Sequence, residues 1–280
     1  MSHRHRMLAP AIAVLASTAI TASCNAAAPA SGPDSEPFVG HVHGLGVDPA
    51  DGVLYVASHG GVFRLQDRRL QLVAGRAQDT MGFTVAGPNH FLGSGHPDPT
   101  DRDQPVHLGL IESQDAAETW TPVSLSGAAD FHLLEQGVDA LYGYNSQSSS
   151  VLRTTDQKEW DVVLPAEVSD LAPHPTEPGV LLSVTADGLM RTALNGQTTE
   201  LSGPIGLSQI EWPTPDLLVG ITTNGGLYES TDEGRSWTLR SKLPDKQVEA
   251  FDVSGDAWHL ATGQGIYTSP DRGTTWNSLL

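Results

Sequence analysis

Cysteine is almost missing from this 280-residue chain: Cys24 is the single one. One thiol makes no internal disulfide framework and no CxxC metal site. Basic residues are scarce too, 15 against 33 acidic ones, for a formal net charge of −18. A surface of that sign repels phosphate backbones, which excludes nucleic acid as a general partner, and it attracts cations. Charged residues are only 17% and aromatics 6%, a balance too hydrophobic for a disordered chain. After Pro37 no segment carries the 3.6-residue apolar period of an amphipathic helix. Gly-rich phosphate loops, HExxH helices and a Ser-His-Asp order are absent as well. The stretch GLGVDPADG reads as a strand and a turn, since no helix follows it.

Punctuation is what abounds, with 29 Gly and 19 Pro, far more than a helical bundle tolerates. The first 23 residues have the three-part form of an export signal: Arg4 and Arg6, an apolar stretch from Met7 to Ile20, then small residues. That stretch is too short and too Ala-rich for a transmembrane span. Thr21-Ala22-Ser23-Cys24 has the form of a lipobox, so Cys24 is expected to carry a lipid and to anchor the chain to the outer face of the cytoplasmic membrane. Cleavage near Ala26–Ala28 would instead release a secreted protein. Residues 24–37, rich in Ala, Pro, Ser and Gly, read as a flexible tether.

Residues 38–280 are filled by six repeats. A short apolar strand runs into a turn as GVFRLQD, GLIESQD, SVLRTTD, GLMRTAL, GLYESTD and GIYTSPD, ending at residues 67, 115, 156, 194, 232 and 271, and the turn is Ser/Thr-x-Asp in all but the first and fourth. The spacings are 48, 41, 38, 38 and 39 residues, the longest holding the insertion GHPDPTDRDQP at 95–105. Three further short alternating segments accompany each turn. Four strands at a period near 40 predict one all-β domain, a six-bladed β-propeller with four-stranded antiparallel blades.

Two turns are complete in Ser-x-Asp-x-Gly-x-x-Trp form: Ser230, Asp232, Gly234, Trp237 and Ser269, Asp271, Gly273, Trp276. A third, Ser113, Asp115, Trp120, has Ala117 in place of the glycine, and Asp156 with Trp160 is one residue short. The chemistry is structural: the carboxylate binds backbone N–H groups of its own turn, and Trp packs beneath the hairpin. These motifs resemble the BNR/Asp-box repeats of sialidase-like propellers. Together with HVHGLGVDPADGVLYVASHGGVF, MGFTVAGPNHFLGSGHPDP and ADFHLL, they make the chain similar to bacterial exported lipoproteins of the BNR-repeat glycosyl hydrolase type. The resemblance implies a propeller and leaves the activity open, since Asp-boxes also occur in assembly factors, receptors and binding proteins.

A sialidase would need three arginines on the substrate carboxylate, a Tyr/Glu pair and an Asp acid/base. The expected Arg-Ile/Leu-Pro tripeptide is absent, and Arg64, Arg153 and Arg191 share one repeat position, so they cannot meet at one pocket. Sialidase activity is therefore not expected. A hydrolase of non-sialic sugars needs two carboxylates about 5–9.5 Å apart, and no pair stands out. The leading expectation is a ligand-binding or assembly module whose partner at the channel mouth is a small ligand, a glycan or an envelope protein. The alternatives are a BNR-type glycoside hydrolase and an envelope protein binding copper or zinc.

Histidine placement favours a site at one face. Aligning the first strands on Leu45, Phe83, Leu133, Leu171, Ile210 and Phe251 sets His43 level with Met81, Phe131, Ser169, Ser208 and Glu249. A shift of one residue puts Asp130 or His132 in either layer. His41 precedes the first strand, while His59 and His96 occupy loops between second and third strands, which open on the same face. His41, His43, His59, His96 and His132 are thus expected around one channel mouth, with Asp79, Met81 and Asp130 beside them. Imidazole, carboxylate and thioether suit copper or zinc, although a hydrogen-bonded channel lining accounts for His41 and His43 equally well. His90, His107, His174 and His259 read as ordinary surface or strand histidines.

Overall fold

The computed structural model describes residues 39–253, 255 and 257–280. The leader, Cys24 and the tether lie outside the described residues. The described chain forms six sheets of four antiparallel strands, a six-bladed propeller.

Blade 1 is β1 (Val42–Val47), β2 (Leu54–Ser58), β3 (Gly61–Gln66) and β4 (Arg69–Leu72); a short 3-10 turn, Val73–Gly75, follows. Blade 2 is β5 (Asp79–Gly87), β6 (His90–His96), β7 (Leu110–Ser113) and β8 (Thr121–Ser124). Blade 3 is β9 (Phe131–Gln136), β10 (Leu141–Asn145), β11 (Ser150–Thr154) and β12 (Asp161–Leu164). Blade 4 is β13 (Asp170–Pro173), β14 (Leu181–Thr185), β15 (Gly188–Thr192) and β16 (Thr198–Leu201). Blade 5 is β17 (Leu207–Thr214), β18 (Leu217–Thr222), β19 (Gly226–Ser230) and β20 (Thr238–Lys242). Blade 6 is β21 (Val248–Asp252), β22 (Trp258–Thr262), β23 (Gly265–Ser269) and β24 (Asn277–Ser278).

The second strand of each blade is buried on both faces, as in LYVAS of β2, because neighbouring blades cover both sides. The cores lie between blades. Leu92 and Leu110 of blade 2 pack with Phe131, Leu134 and Leu141 of blade 3. The ring closes in the same way, with Leu45, Val56 and Phe63 against Ala250, Ala261 and Ile266. Blade 6 supplies its own fourth strand, so closure rests on packing and a few bonds. Arg68 Nη2 donates to the Leu280 carbonyl at 3.1 Å, and the Val42 N–H donates to Glu249 Oε2 at 3.0 Å.

Each complete turn is a small hydrogen-bond cage. Asp232 Oδ1 accepts from Ser230 Oγ and the Ser236 N–H, both at 2.8 Å, and Oδ2 accepts from Ser236 Oγ at 2.6 Å. The Gly234 N–H donates to Ser230 Oγ at 2.8 Å. Ser113, Asp115 and Thr119 repeat the cage, and Ala117 holds its bend at φ 69° without a glycine. Asp156 instead collects the N–H groups of Lys158 and Glu159, both at 2.9 Å. The Trp237 ring lies against Gly220, where a Cβ would approach it to 2.9 Å, so the tryptophan needs that bare backbone.

Hydrogen bonds from the Ser236 side chain and backbone hold the Asp232 carboxyl at about 2. A depressed acid pKa stabilises the fold above the unfolded value of 3.8, and the contribution is lost as pH falls through about 2. Asp232→Ala should therefore lower the thermal midpoint at pH 7 by calorimetry, with exposed Asp161→Ala as an unchanged control. The difference should shrink as the pH approaches 2.

Candidate functional site

The inner strands β1, β5, β9, β13, β17 and β21 enclose a central cavity of about 770 Å³. Five of them carry an irregularity at the same height. Strand pairing passes over one residue between Val42 and Gly44, Thr80 and Gly82, Leu207 and Gln209, and Val248 and Ala250. In β9 the step falls between Phe131 and Leu133. The residues left out of register are His43, Met81, Ser208, Glu249 and His132. A bulge frees one residue from the ladder and re-aims its side chain. The structure thereby corrects the expected alignment: Leu134, opposite Gly143, is the centre of β9, and His132, not Phe131, stands level with His43. Met81 holds the same bulge position on β5.

Two trios form at this end of the channel. In the first, the His59 N–H donates to the His41 carbonyl at 3.1 Å, tying the β2–β3 loop to the entry of β1. His43 Nε2 lies 3.3 Å from His59 Nδ1, which lies 3.0 Å from Asp79 Oδ1. Asp79 Oδ1 closes the triangle, 3.7 Å from His43 Nε2. His41 stands beside it, its ring 5.0 Å from that of His43 and its Nδ1 3.4 Å from Glu249 Oε1. Burial pushes the His43 imidazole down to about 3, helped by charge repulsion from His59, His41 and His132. His43 is accordingly neutral at physiological pH and keeps a lone pair for a ligand.

The second trio spans blades 2 and 3. His96, His107 and Asp130 bring their ligand atoms within 4.8 Å of one another. His107 was expected to be an ordinary surface histidine. It lies just after the insertion, whose chain returns to place its Nδ1 3.6 Å from Asp130 Oδ2. His132 reaches the same oxygen from β9 at 3.1 Å. Burial alone would raise the Asp130 carboxyl, but hydrogen bonds and charge from His132, with a bond from Ser146, hold it below its ordinary value. The sequence-predicted residues thus fall into two groups, with His41, His43, His59 and Asp79 in one and His96, Asp130 and His132 in the other. The remaining histidines have local partners: His90 with Glu112 at 2.7 Å, His174 against Trp212, and His259 with Asp252 at 3.5 Å.

Sequence reasoning missed the acids inside the channel. Glu135, Asp170, Glu211 and Asp252 come one each from β9, β13, β17 and β21, and all line the cavity. Burial, followed by repulsion from Asp170 and Asp252, drives Glu135 well above the usual carboxylate range. Glu211 rises for the same reason, with Glu135 among its repelling neighbours. Asp170 reaches about 7 through burial, against the backbone N–H groups of Ile210 and Leu171 that its oxygens accept at 2.7 and 2.9 Å. Among the described residues lining the cavity there is no Arg or Lys. The signal was present as at least one acid on each inner strand of four successive repeats.

No protein-family model and no curated protein sequence matches the chain. Its fold is similar to that of several solved propellers. Virginiamycin B lyase from Staphylococcus aureus aligns over 85% of this chain and 84% of its own, with TM-score 0.58 and 12% identity. The GH74 xyloglucanase from Xanthomonas campestris aligns over 88% of this chain at TM-score 0.58 and 16% identity, and this chain spans 55% of it. YCF48 bound to D1 peptide aligns over 87% of this chain and 82% of its own at TM-score 0.51 and 17% identity. At these identities the likeness is one of fold: the class is the β-propeller, and it houses both enzymes and binding proteins.

Proposed function

We propose that this chain is an exported, lipid-anchored binding propeller of the BNR/Asp-box kind, whose ligand at the channel mouth is copper or zinc. One observation carries the reading. The three ligand atoms of His43, His59 and Asp79 stand 3.0, 3.3 and 3.7 Å apart. Ligands 2.0–2.2 Å from a tetrahedral ion stand about 3.4 Å from one another, so an ion fits between these atoms with small side-chain rotations. Two imidazoles and one carboxylate suit a borderline cation. The net charge of −18 favours the approach of cations. Three protein ligands leave a fourth position open for water or an exchanging ligand.

Calorimetric titration of the tag-free mature protein with Zn²⁺ tests this. His59→Ala and Asp79→Asn should each weaken binding at least about 10-fold, the loss usual for removing even an outer-shell partner. His90→Ala should leave it unchanged. Unaltered zinc affinity in both site variants would refute the reading.

A hydrolase of non-sialic sugars is the second reading, supported by Asp170 at about 7, a value suited to a general acid. Turnover of a neutral chromogenic glycoside, lost in Asp170→Asn, would favour it. The arginines give no support to an anionic sugar substrate. Arg64, Arg153 and Arg191 are each engaged away from the channel, by Glu118, Asp139 and Glu177.

A further inference from the structure

We infer that His96, His107 and Asp130 bind a second transition-metal ion, and that this ion pins the 95–105 insertion to blade 3. The inference rests on the same reading of this face as metal-binding, but on different residues.

Three features favour an ion here over a plain hydrogen-bond cluster. First, His96 Nδ1 lies 2.7 Å from the Val106 carbonyl. A carbonyl only accepts, so Nδ1 carries the proton and Nε2 keeps its lone pair outward, the arrangement usual for a metal-bound histidine. Second, Asp130 is only 4% exposed, and its Oδ1 has no hydrogen-bond donor among the described residues. Its other oxygen is crowded by Ser146 Oγ at 3.0 Å and His132 Nε2 at 3.1 Å. A buried carboxylate oxygen without a donor is costly, and a bound cation removes that cost. Third, His107 Nδ1 is buried without a hydrogen bond, 3.6 Å from the same carboxylate. His132 is a positioning residue here, orienting Asp130 from β9.

The two trios are neighbours. Asp79 and His96 are directly paired across β5 and β6, so one strand pair supplies a ligand to each. The mechanical consequence concerns the insertion. His96 opens it and His107 closes it, while Asp130 belongs to the body of blade 3. An ion joining all three fastens both ends of the loop to the propeller. Exposed Arg102, in the middle of the loop, offers trypsin a bond whose cleavage reports on that fastening.

The experiment combines metal content and proteolysis on the tag-free mature protein equilibrated with Zn²⁺. The native protein should retain two ions per chain, His107→Ala one, His59→Ala one, and the double variant none. Zinc should slow trypsin cleavage after Arg102 in the native protein and in His59→Ala, but not in His107→Ala. His96→Gln serves as a second variant with the same expectation as His107→Ala. One ion lost in His59→Ala and unaffected by His107→Ala or His96→Gln would overturn this inference and leave the first site standing. One ion lost only in the His107 and His96 variants would uphold the inference and remove the first site. No bound zinc in the native protein would overturn both.

Discussion

The double variant Glu135→Gln/Glu211→Gln is expected to melt above the native protein at pH 8, with the gap closing as the pH falls to 4. Glu135, Asp170, Glu211 and Asp252 line one channel; burial raises Asp170, and burial followed by repulsion from neighbouring acids raises Glu135 and Glu211. The folded protein therefore binds more protons than the unfolded chain above the ordinary carboxylate range. Stability is fully present below the unfolded pKa and is lost as pH rises through the folded one. For Asp170 the window runs from 3.8 to about 7. At about 1.4 kcal/mol per pH unit, the loss from that group alone approaches about 4 kcal/mol. His43 acts oppositely: its lowered value makes stability rise with pH between about 3 and 6.5. Comparing variant with native at each pH removes the His43 and Asp170 contributions, since both proteins carry those groups, and leaves the gap to the two glutamates. Glutamine keeps the shape and cannot ionise. Scanning calorimetry giving a gap that stays constant from pH 4 to pH 8 would show that the two glutamates titrate normally.

Gly95→Ala should abolish zinc binding at both proposed sites at once and destabilise the fold. Gly95 has φ +136°, and a Cβ there would lie 2.1 Å from the Asp79 carbonyl oxygen and 2.9 Å from the Met81 nitrogen. Both contacts are backbone, so the β5–β6 pair must part. That pair presents Asp79 to one trio and His96 to the other. The backbone conformation alone costs about 1–3 kcal/mol for a residue with a Cβ, and the clash adds to it. Gly188→Ala separates the two effects: its φ is +122° with open space around the added carbon. The expected result is a lowered midpoint in both variants, with zinc binding lost in Gly95→Ala only. Two ions retained by Gly95→Ala would refute the shared-strand account.

Much of the fold was legible because a propeller repeats one local solution. Each Ser/Thr-x-Asp turn is satisfied within seven residues, as the Asp232 cage shows, so recurrence of the strand-and-turn unit near every 40 residues located the blades without reference to the rest of the molecule. The same repetition exposed the histidines, since His43 and His59 hold fixed places in a blade. His107 was not legible, because the insertion has no counterpart in the other blades. Its return to Asp130 depends on how the loop closes across blade 2.

The sequence by itself determined the number of blades, the strands within them and the face on which most of these polar side chains gather. Hydrophobic alternation and turn chemistry act over a few residues and require nothing distant. Only the tertiary structure decided which side chains touch. In β9, Phe-His-Leu-Leu offers two adjacent leucines as the inward centre, and alternation cannot choose between them. Pairing with β10 chooses Leu134 and bulges the chain at His132, bringing that histidine level with His43. A bulge is set by backbone bonds to the neighbouring strand, and one added residue reverses the parity on which any reading of faces depends. The raised proton affinity of Glu135, Asp170 and Glu211 has the same origin: it comes from burial in a channel that separate strands close around one axis, an enclosure that no stretch of sequence contains.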